Sequence, residues 1–386
     1  MMSPDSIVVV GSADPYDVRL FSGTTRSMTL ALQSHFEQVA VIRQPRPRWF
    51  DFARKVILRA SSGRVDIFLS RRLAARHALK IRAEIAAANP RAVISIANSA
   101  LTAELGKWFP VIHVSDTTFD LMRTFYASFT RLGAHCLASG EAIEAAAIGN
   151  SAFTTVSSPW AAASVRDHYA KPAQQVRSIS WGCNMAHVPL ADVAIPPAEG
   201  SPCRLLFVGL DWERKGGDIV IETAALLNKA GFACHFDLIG AVPEAAVSLP
   251  NVTLHGRLSK ADPDQLAKFM TLLRGASLLF LPTRQDCTPM VFAEANAVGV
   301  PALASDVGGV SGVISHGENG LLLSAEASSA DFAEAITALW GDRERYLAMR
   351  QTARAAYDNR LNWAAWASAM ADMIAELPPP RHSACV

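Results

Sequence analysis

The sequence predicts an α/β protein built as two doubly wound parallel-sheet domains in tandem, facing a central cleft. Three observations carry that reading. Short apolar runs alternate with stretches of helical period in both halves of the chain. A run ending in a glycine turn opens each half, SIVVVG (6–11) in the first and CRLLFVGL (203–210) in the second. Between the halves, MAHVPLADVAIPPAEGSP (185–202) holds four prolines and no helical period, the composition of a linker.

In the first half SIVVVG leads through the loop SADPYDVRLFSGTTRS to the helix MTLALQSHF and the strand VAVIR. This is a Rossmann-like βαβ opening without the three-glycine dinucleotide fingerprint. Further strands follow at AVISIA (92–97), VIHVS (111–115), FTTVSS (153–158) and VRSIS (176–180). The second half continues through the helix GDIVIETAALLNKAG, the strands CHFDLIG and VTLHG, the helix PDQLAKFMTLLRGA and the strand LLFLPT. PALASD reads as a strand, and NWAAWASAMADMIAEL (362–377) as the last helix. The expected boundaries are therefore 1–185, a linker at 186–202, 203–361, and 362–386 for the closing helix and tail.

Bulk properties narrow the class. The chain has 386 residues, 50% of them hydrophobic, and a formal net charge of +1, which suits two medium globular domains. The cysteines at 136, 183, 203, 234, 287 and 385 show no metal-binding spacing and fit a reducing compartment. The N-terminus runs straight into a strand, unlike a signal peptide. No apolar run approaches the roughly 18 residues of a membrane span. A cytoplasmic, soluble protein is expected.

Two stretches carry candidate chemistry. FVGLDWERKGGD places a strand, a glycine turn and the cations Arg214 and Lys215 just before a helix. Backbone N–H groups and the positive helix end favour an anion there, and the cations add charge-assisted bonds to phosphate. A solvated loop is the competing reading. In QDCTPMVFAEANAVGVP, Thr288 reads as N-cap, Pro289 as the first helical residue and Gly299 as the C-terminal cap. The helix so defined spans about 289–298. Val291, Phe292, Ala295 and Val298 share one face with Glu294 at its edge, and Asp286 stands just ahead of the helix. The free N–H groups of Met290 and Val291 can meet a phosphate or a sugar hydroxyl. Glu294 lies about 7 Å along the axis from Pro289, roughly the step from a diphosphate to a ribose. A boundary residue on an amphipathic helix is the competing reading for Glu294. Asp262-Pro263-Asp264 has the spacing of a metal-holding Asp-x-Asp, yet reads better as a helix start capped by Asp262.

Taken in order, FVGLDWERKGG, PTRQDCTPMVFAEANAVGVPALASDVGG and GENGLLL resemble the family 4 retaining glycosyltransferases, bacterial branch, which have the two-Rossmann (GT-B) fold. FSGTTRSMTLAL, VSDTTFDLMRTFY and SSPWAAASVRDHY in the first half look like the same family. The resemblance implies that the closing helix crosses back to the first domain. It implies that Glu294 binds the donor ribose, that Lys215 binds the pyrophosphate, and that Asp286 stands near the donor sugar where the family usually has glutamate. Arg214, Thr288, Met290, Val291 and Gly23, in the loop SGTT, complete the donor side. Asp116 falls where many members have an active-site histidine. His113 is out of register by three and reads as a buried structural residue. Leu210 replaces the family's usual arginine, and Gly312 its usual glutamate after the GG turn.

The implied reaction is transfer of a hexosyl unit from a nucleoside-diphosphate sugar to an acceptor hydroxyl with retained configuration, without a required metal. The acceptor is a glycan, a lipid-linked saccharide or a small molecule. Lys215, Asp286 and Asp116 are the candidate catalytic groups. A non-catalytic nucleotide-sugar-binding protein is the alternative from another class; a nicotinamide dehydrogenase, a phosphorylase and an epimerase are further rivals. Finally, residues 43–82 are dense in Arg and Lys and opposed only by Asp51 and Asp66. Trp49, Phe52 and Val56 recur there at helical steps, with Arg59 continuing the stripe. This pattern is read either as core-packed helices with solvated cations or as peripheral contact with an anionic membrane at its inner face. No feature points to nucleic acid.

Overall fold

The computed structural model describes residues 6–11, 14–17, 20–43, 48–185, 188, 193–243 and 249–378. Arg46, Cys385 and most of 186–192, the first part of the expected linker, lie outside them. The chain divides into two compact units, Met1–Ile179 with Trp363–Val386, and Ser180–Asn362. The second unit thus takes in the proline-rich stretch, and the first takes the chain's end.

The first unit runs β1 (Ser6–Gly11), α1 (Thr24–His35), β2 (Gln38–Arg43), α2 (Arg48–Ala60), α3 (Arg71–Ala88), β3 (Ala92–Ile96) and α4 (Ser99–Leu105). It continues with β4 (Val111–Ser115), α5 (Phe119–Phe125), α6 (Ala127–Thr130), α7 (Ala134–Asn150), β5 (Phe153–Val156), α8 (Pro159–Asp167) and β6 (Val176–Ser178). The strands form one parallel sheet in the order β2-β1-β3-β4-β5-β6. Ile7, Val8, Val9 and Val10 are all fully buried, because helices cover both faces of a parallel sheet. Val8 and Val10 pack with Ile81 and Ile85 of α3 and with Leu101 and Leu105 of α4.

The second unit runs β7 (Cys203–Gly209), α9 (Gly217–Lys229), β8 (Cys234–Gly240), β9 (Val252–Gly256), α10 (Pro263–Gly275) and β10 (Leu278–Leu281). Then come α11 (Met290–Ala297), β11 (Ala302–Ser305), β12 (Gly320–Leu323), α12 (Ser329–Gly341) and α13 (Arg343–Asn359). Its parallel sheet has the order β12-β11-β10-β7-β8-β9. Counted from β7, this is the Rossmann order, whose switch point lies between the first and fourth strands, β7 and β10. The core gathers Phe207, Phe236, Phe280, Phe292 and Phe332, with the Phe280 ring 5.2 Å from Phe332 and 6.3 Å from Phe236. The last helix, α14 (Trp363–Ala375), belongs to the first unit and packs on α1. Just beyond it, the Arg91 guanidinium donates to the Leu377 and Pro378 carbonyls.

The five described cysteines are buried, acting as small apolar side chains. Among the described residues, no helix is long and apolar enough to cross a membrane. Asp262 caps α10, accepting from the N–H groups of Asp264 (3.0 Å) and Gln265 (3.1 Å), with Pro263 at the first helical position.

Candidate functional site

The switch point between β7 and β10 brings two loops together, 210–216 after β7 and 282–289 after β10. Gly216 makes the first of them possible. It adopts φ +72°, and a Cβ there would lie 2.0 Å from the Pro282 carbonyl oxygen. A Cβ on Gly217 would lie 2.2 Å from the Trp212 ring. The glycine pair therefore lets the two loops meet backbone to backbone. Arg284, on the second loop, grips Asp218 in the first turn of α9 through two bonds of 2.7 and 2.6 Å. Hydrogen bonding to Arg284 holds the Asp218 carboxyl below the usual range.

Lys215 and Asp286 meet inside this junction. The ammonium Nζ donates to Asp286 Oδ2, and the two side chains are 13% and 10% exposed. So the lysine is no solvated loop cation, and its charge is aimed by the carboxylate. Asp286 is itself held by its backbone, its carbonyl accepting from the Gly309 N–H (2.9 Å) in the DVGG turn. Arg214 is committed differently. Its Nη1 donates to the Gln285 carbonyl (2.8 Å) and its Nε reaches Asp211 (3.3 Å), tying one loop to the other. Arg214 thus builds the junction. Leu210, at the position of the family's arginine, is 69% exposed.

The α11 start differs from the sequence reading by one residue. Pro289 itself holds the N-cap position and the helix is Met290–Ala297, whereas the sequence points to Thr288 as the cap. Proline offers no side-chain acceptor, so the N-cap residue itself gives no side-chain bond to the first N–H groups of α11. Glu294 also departs from expectation. It is fully buried rather than at the edge of an apolar face. Every residue from Phe292 to Ala297 is buried, because α11 is covered all round, including by α13; periodicity carries no face information in such a helix.

A buried carboxylate requires a partner. Glu294 has Lys260, from the loop between β9 and α10, whose Nζ bonds both carboxylate oxygens while lying 4.7 Å over the Phe269 ring. The Lys260 side chain is 40% exposed, so the pair sits where solvent meets the core. Sequence reasoning misses this lysine; its only trace is a cation in a polar loop 34 residues away.

The rest of α11 is clamped. Asn319, in GENGLLL, donates to Asn296 Oδ1 (2.6 Å) and to the Val313 carbonyl (3.0 Å), and accepts from the Ser315 N–H (2.7 Å). From α13, Arg354 donates to the Ala297 carbonyl (2.7 Å). Gly312 closes a short 3-10 turn, and its carbonyl accepts from Ser180 (2.8 Å) and Arg360 (3.2 Å).

The remaining candidates belong to the first unit. Gly23 stands at the N-cap of α1 with φ +81°, closing a 3-10 turn at Leu20–Gly23. Asp116 follows the carboxyl end of β4, half-buried, and its carbonyl accepts from the Ser157 hydroxyl (3.3 Å). His113 lies within β4, fully buried, with Nδ1 3.1 Å from the Thr102 hydroxyl and Nε2 3.9 Å from Glu144.

Comparison with known proteins falls on the same unit. Residues 202–342 match the family described as glycosyl transferases group 1. The D-inositol 3-phosphate glycosyltransferase of Nocardia farcinica is 32% identical over 171 residues, covering 41% of this chain and 38% of that protein. The matches to the curated relatives span between 28% and 53% of those proteins' length. Among solved structures, the lipopolysaccharide outer core galactosyltransferase WaaB superposes with a TM-score of 0.66 at 15% identity, covering 96% of this chain and all (100%) of that one. Anabaena Alr3699/HepE, solved in complex with UDP and glucose, gives 0.62 at 14% identity, over 96% of this chain and 100% of its own. At such identities these structures speak for the fold, two parallel six-stranded sheets flanked by helices. Residues 202–342 thus resemble the glycosyl transferases group 1 family, and the two parallel six-stranded sheets with their helices match the two-domain GT-B fold.

Proposed function

We propose that this chain is a retaining glycosyltransferase that moves a hexosyl unit from a nucleoside-diphosphate sugar to an acceptor hydroxyl in the cytoplasm. One observation carries the reading. The switch point of a Rossmann-ordered sheet holds an aimed lysine, Lys215, beside the start of a helix whose N-cap residue is Pro289, and that helix carries the buried carboxylate Glu294. Ligands of such sheets bind outside the carboxyl ends of the strands at that point. The diphosphate would take the place in front of Lys215 and the Met290 and Val291 N–H groups. The ribose hydroxyls would replace Lys260 on Glu294, about 7 Å along α11 from Pro289. UDP and glucose in the Anabaena relative, and the glycosyltransferase named in Nocardia, support a donor of this class.

As the glycosidic bond breaks, negative charge grows on the departing diphosphate. Lys215 and the α11 N-terminus would stabilise it where it appears, the usual large electrostatic contribution to catalysis. In this reading protein cations take the role of a metal, and no metal ion is required. Asp286 holds Lys215 in line and offers its second oxygen to a sugar hydroxyl. Asp116 is the candidate acid on the acceptor side, and Gly23 is carried over from the family resemblance as a candidate donor-binding residue. The acceptor is a glycan, a lipid-linked saccharide or a small molecule. Exposed Leu210, where a cation would be expected, favours the second reading, a nucleotide-sugar-binding protein without turnover.

Incubation with UDP-, GDP- and ADP-hexoses and a panel of acceptors separates the two readings. Transfer with the donor's anomeric configuration, read by proton NMR, supports the enzyme. Donor binding without transfer or hydrolysis leaves the binding protein.

A further inference from the structure

The second helix of the first unit carries a surface that the donor reading neither uses nor explains. In α2, Trp49 is 66% exposed, Phe52 71% and Val56 49%. At 100° per residue these three share one face with Arg59, while Lys55 flanks them, and both cations are exposed. The inner side of the helix is already satisfied. Phe50, 4% exposed, meets Phe68 edge-on at 5.8 Å. Arg54 makes two bonds to Asp66, of 2.8 and 2.7 Å, and lies 4.7 Å over the Phe68 ring. The Trp49 ring leans on Phe50 at 6.2 Å. The helix is thus pinned from below with its large apolar side chains held outward.

The basic stretch as a whole is not this surface. Arg43 pairs with Asp14 (3.3 Å), Arg54 is taken by Asp66, and Arg82 stacks over Trp108 (4.5 Å). Helix α3 buries Ala74, His77, Ala78, Ile81 and Ile85, an ordinary core-facing stripe. Among the described residues, Lys55, Arg59 and the exposed Arg64 just beyond the helix stand beside the apolar row, opposed by Asp51.

Three occupants can be weighed by chemistry. A second copy meeting the same face would set Lys55 and Arg59 against their own like charges. A soluble polyanion would answer the cations and leave Trp49 and Phe52 in water. An anionic bilayer answers both, taking aromatic rings at the boundary of headgroups and acyl chains and cations at the phosphates. We propose that the outward face of α2, formed by Trp49, Phe52, Val56, Lys55 and Arg59, docks the protein on an anionic phospholipid membrane without spanning it.

The test is co-sedimentation of the full chain with vesicles of phosphatidylcholine alone or mixed with phosphatidylglycerol, at low and high salt. The inference expects pelleting with the mixed vesicles that weakens as salt rises. Trp49→Ala with Phe52→Ala should lower the bound fraction about tenfold. Lys55→Glu with Arg59→Glu should abolish the preference for anionic vesicles. Both double variants replace exposed residues, so their thermal midpoints should stay within roughly 2 °C of the parent. Three results overturn the inference: equal recovery with neutral and anionic vesicles, binding untouched by the Trp49/Phe52 change, or a concentration-dependent dimer lost with that change. None of these results bears on nucleotide binding, so the inference stands or falls apart from the donor reading.

Discussion

Lys215 and Asp286, 71 residues apart in sequence, form an ion pair at the switch point of the second sheet. Neither side chain is more than 13% exposed. A lysine held this way is pre-aimed at whatever anion enters, with little rotamer entropy left to lose. Lys215→Ala should therefore lower turnover more than donor affinity, because diphosphate charge is greatest in the transition state. Steady-state kinetics at saturating acceptor checks this. A change confined to the donor KM would assign Lys215 to ground-state binding.

Asp286→Asn keeps the shape of that contact and removes its charge. The lysine loses its charge-assisted bond and its fixed direction, a loss of about 1.5–3 kcal/mol in this buried setting. Turnover should fall roughly tenfold or more while the fold survives. Unchanged kcat in the variant would leave Asp286 a purely structural residue.

Gly216→Ala tests the junction itself. The new methyl would meet the Pro282 carbonyl at 2.0 Å on a backbone with φ +72°. Either the loops separate or the turn distorts, at a cost on the order of 1–3 kcal/mol. Thermal unfolding should show a lower midpoint together with weakened nucleotide binding. A stable variant with intact binding would mean that the close approach is dispensable.

Much of this junction is legible in the order of residues alone. Strands such as VIHVS and CHFDLIG fall where the sequence puts them, at Val111–Ser115 and Cys234–Gly240, because buried parallel strands are short apolar runs with clear ends. The GG turn and the Lys215 loop are legible because glycine has few other reasons to double there. What escapes the sequence is three-dimensional. Lys260 is an ordinary loop cation until the fold sets it on Glu294. The burial of Glu294 cannot be read from an eight-residue helix that is covered on every side. GENGLLL stands out as a motif, yet its role rests on Asn319 meeting Asn296, 23 positions away. The strand Gly320–Leu323 within it goes unrecognised, being four residues long with no alternation.

Asn319→Ala should then destabilise the second unit. It would leave the Ser315 N–H and the Asn296 amide oxygen without this partner, while the Val313 carbonyl keeps its bond from Arg360 (2.8 Å). Each buried unsatisfied group costs about 1–3 kcal/mol. Chemical denaturation should show a lower midpoint, and an unchanged one would remove the network from the account.

Lys171 gives the first unit a distinctive pH dependence. It is buried, its ammonium donating to the Ile148 carbonyl (2.8 Å) and the Ser151 carbonyl at the end of α7. Burial lowers its pKa to about 8. The unfolded chain, with a lysine pKa of about 10.4, holds this proton where the folded chain has released it. Stability must therefore rise as pH increases from about 8 to about 10.4, where the unfolded state binds more protons. Lys171→Met should remove that rise. Parallel curves for the two proteins across this window would contradict it.

The central claim is that Glu294 and the switch-point loops hold a nucleoside diphosphate. Calorimetric titration of the parent protein and of Glu294→Ala with UDP, GDP and ADP tests it most directly. At least one diphosphate should bind the parent, and Glu294→Ala should weaken it by about 1.5–3 kcal/mol, ten- to a hundredfold, with the fold intact by circular dichroism. A nucleotide bound equally by both proteins would place the ribose elsewhere, and no binding to the parent would contradict the donor site altogether.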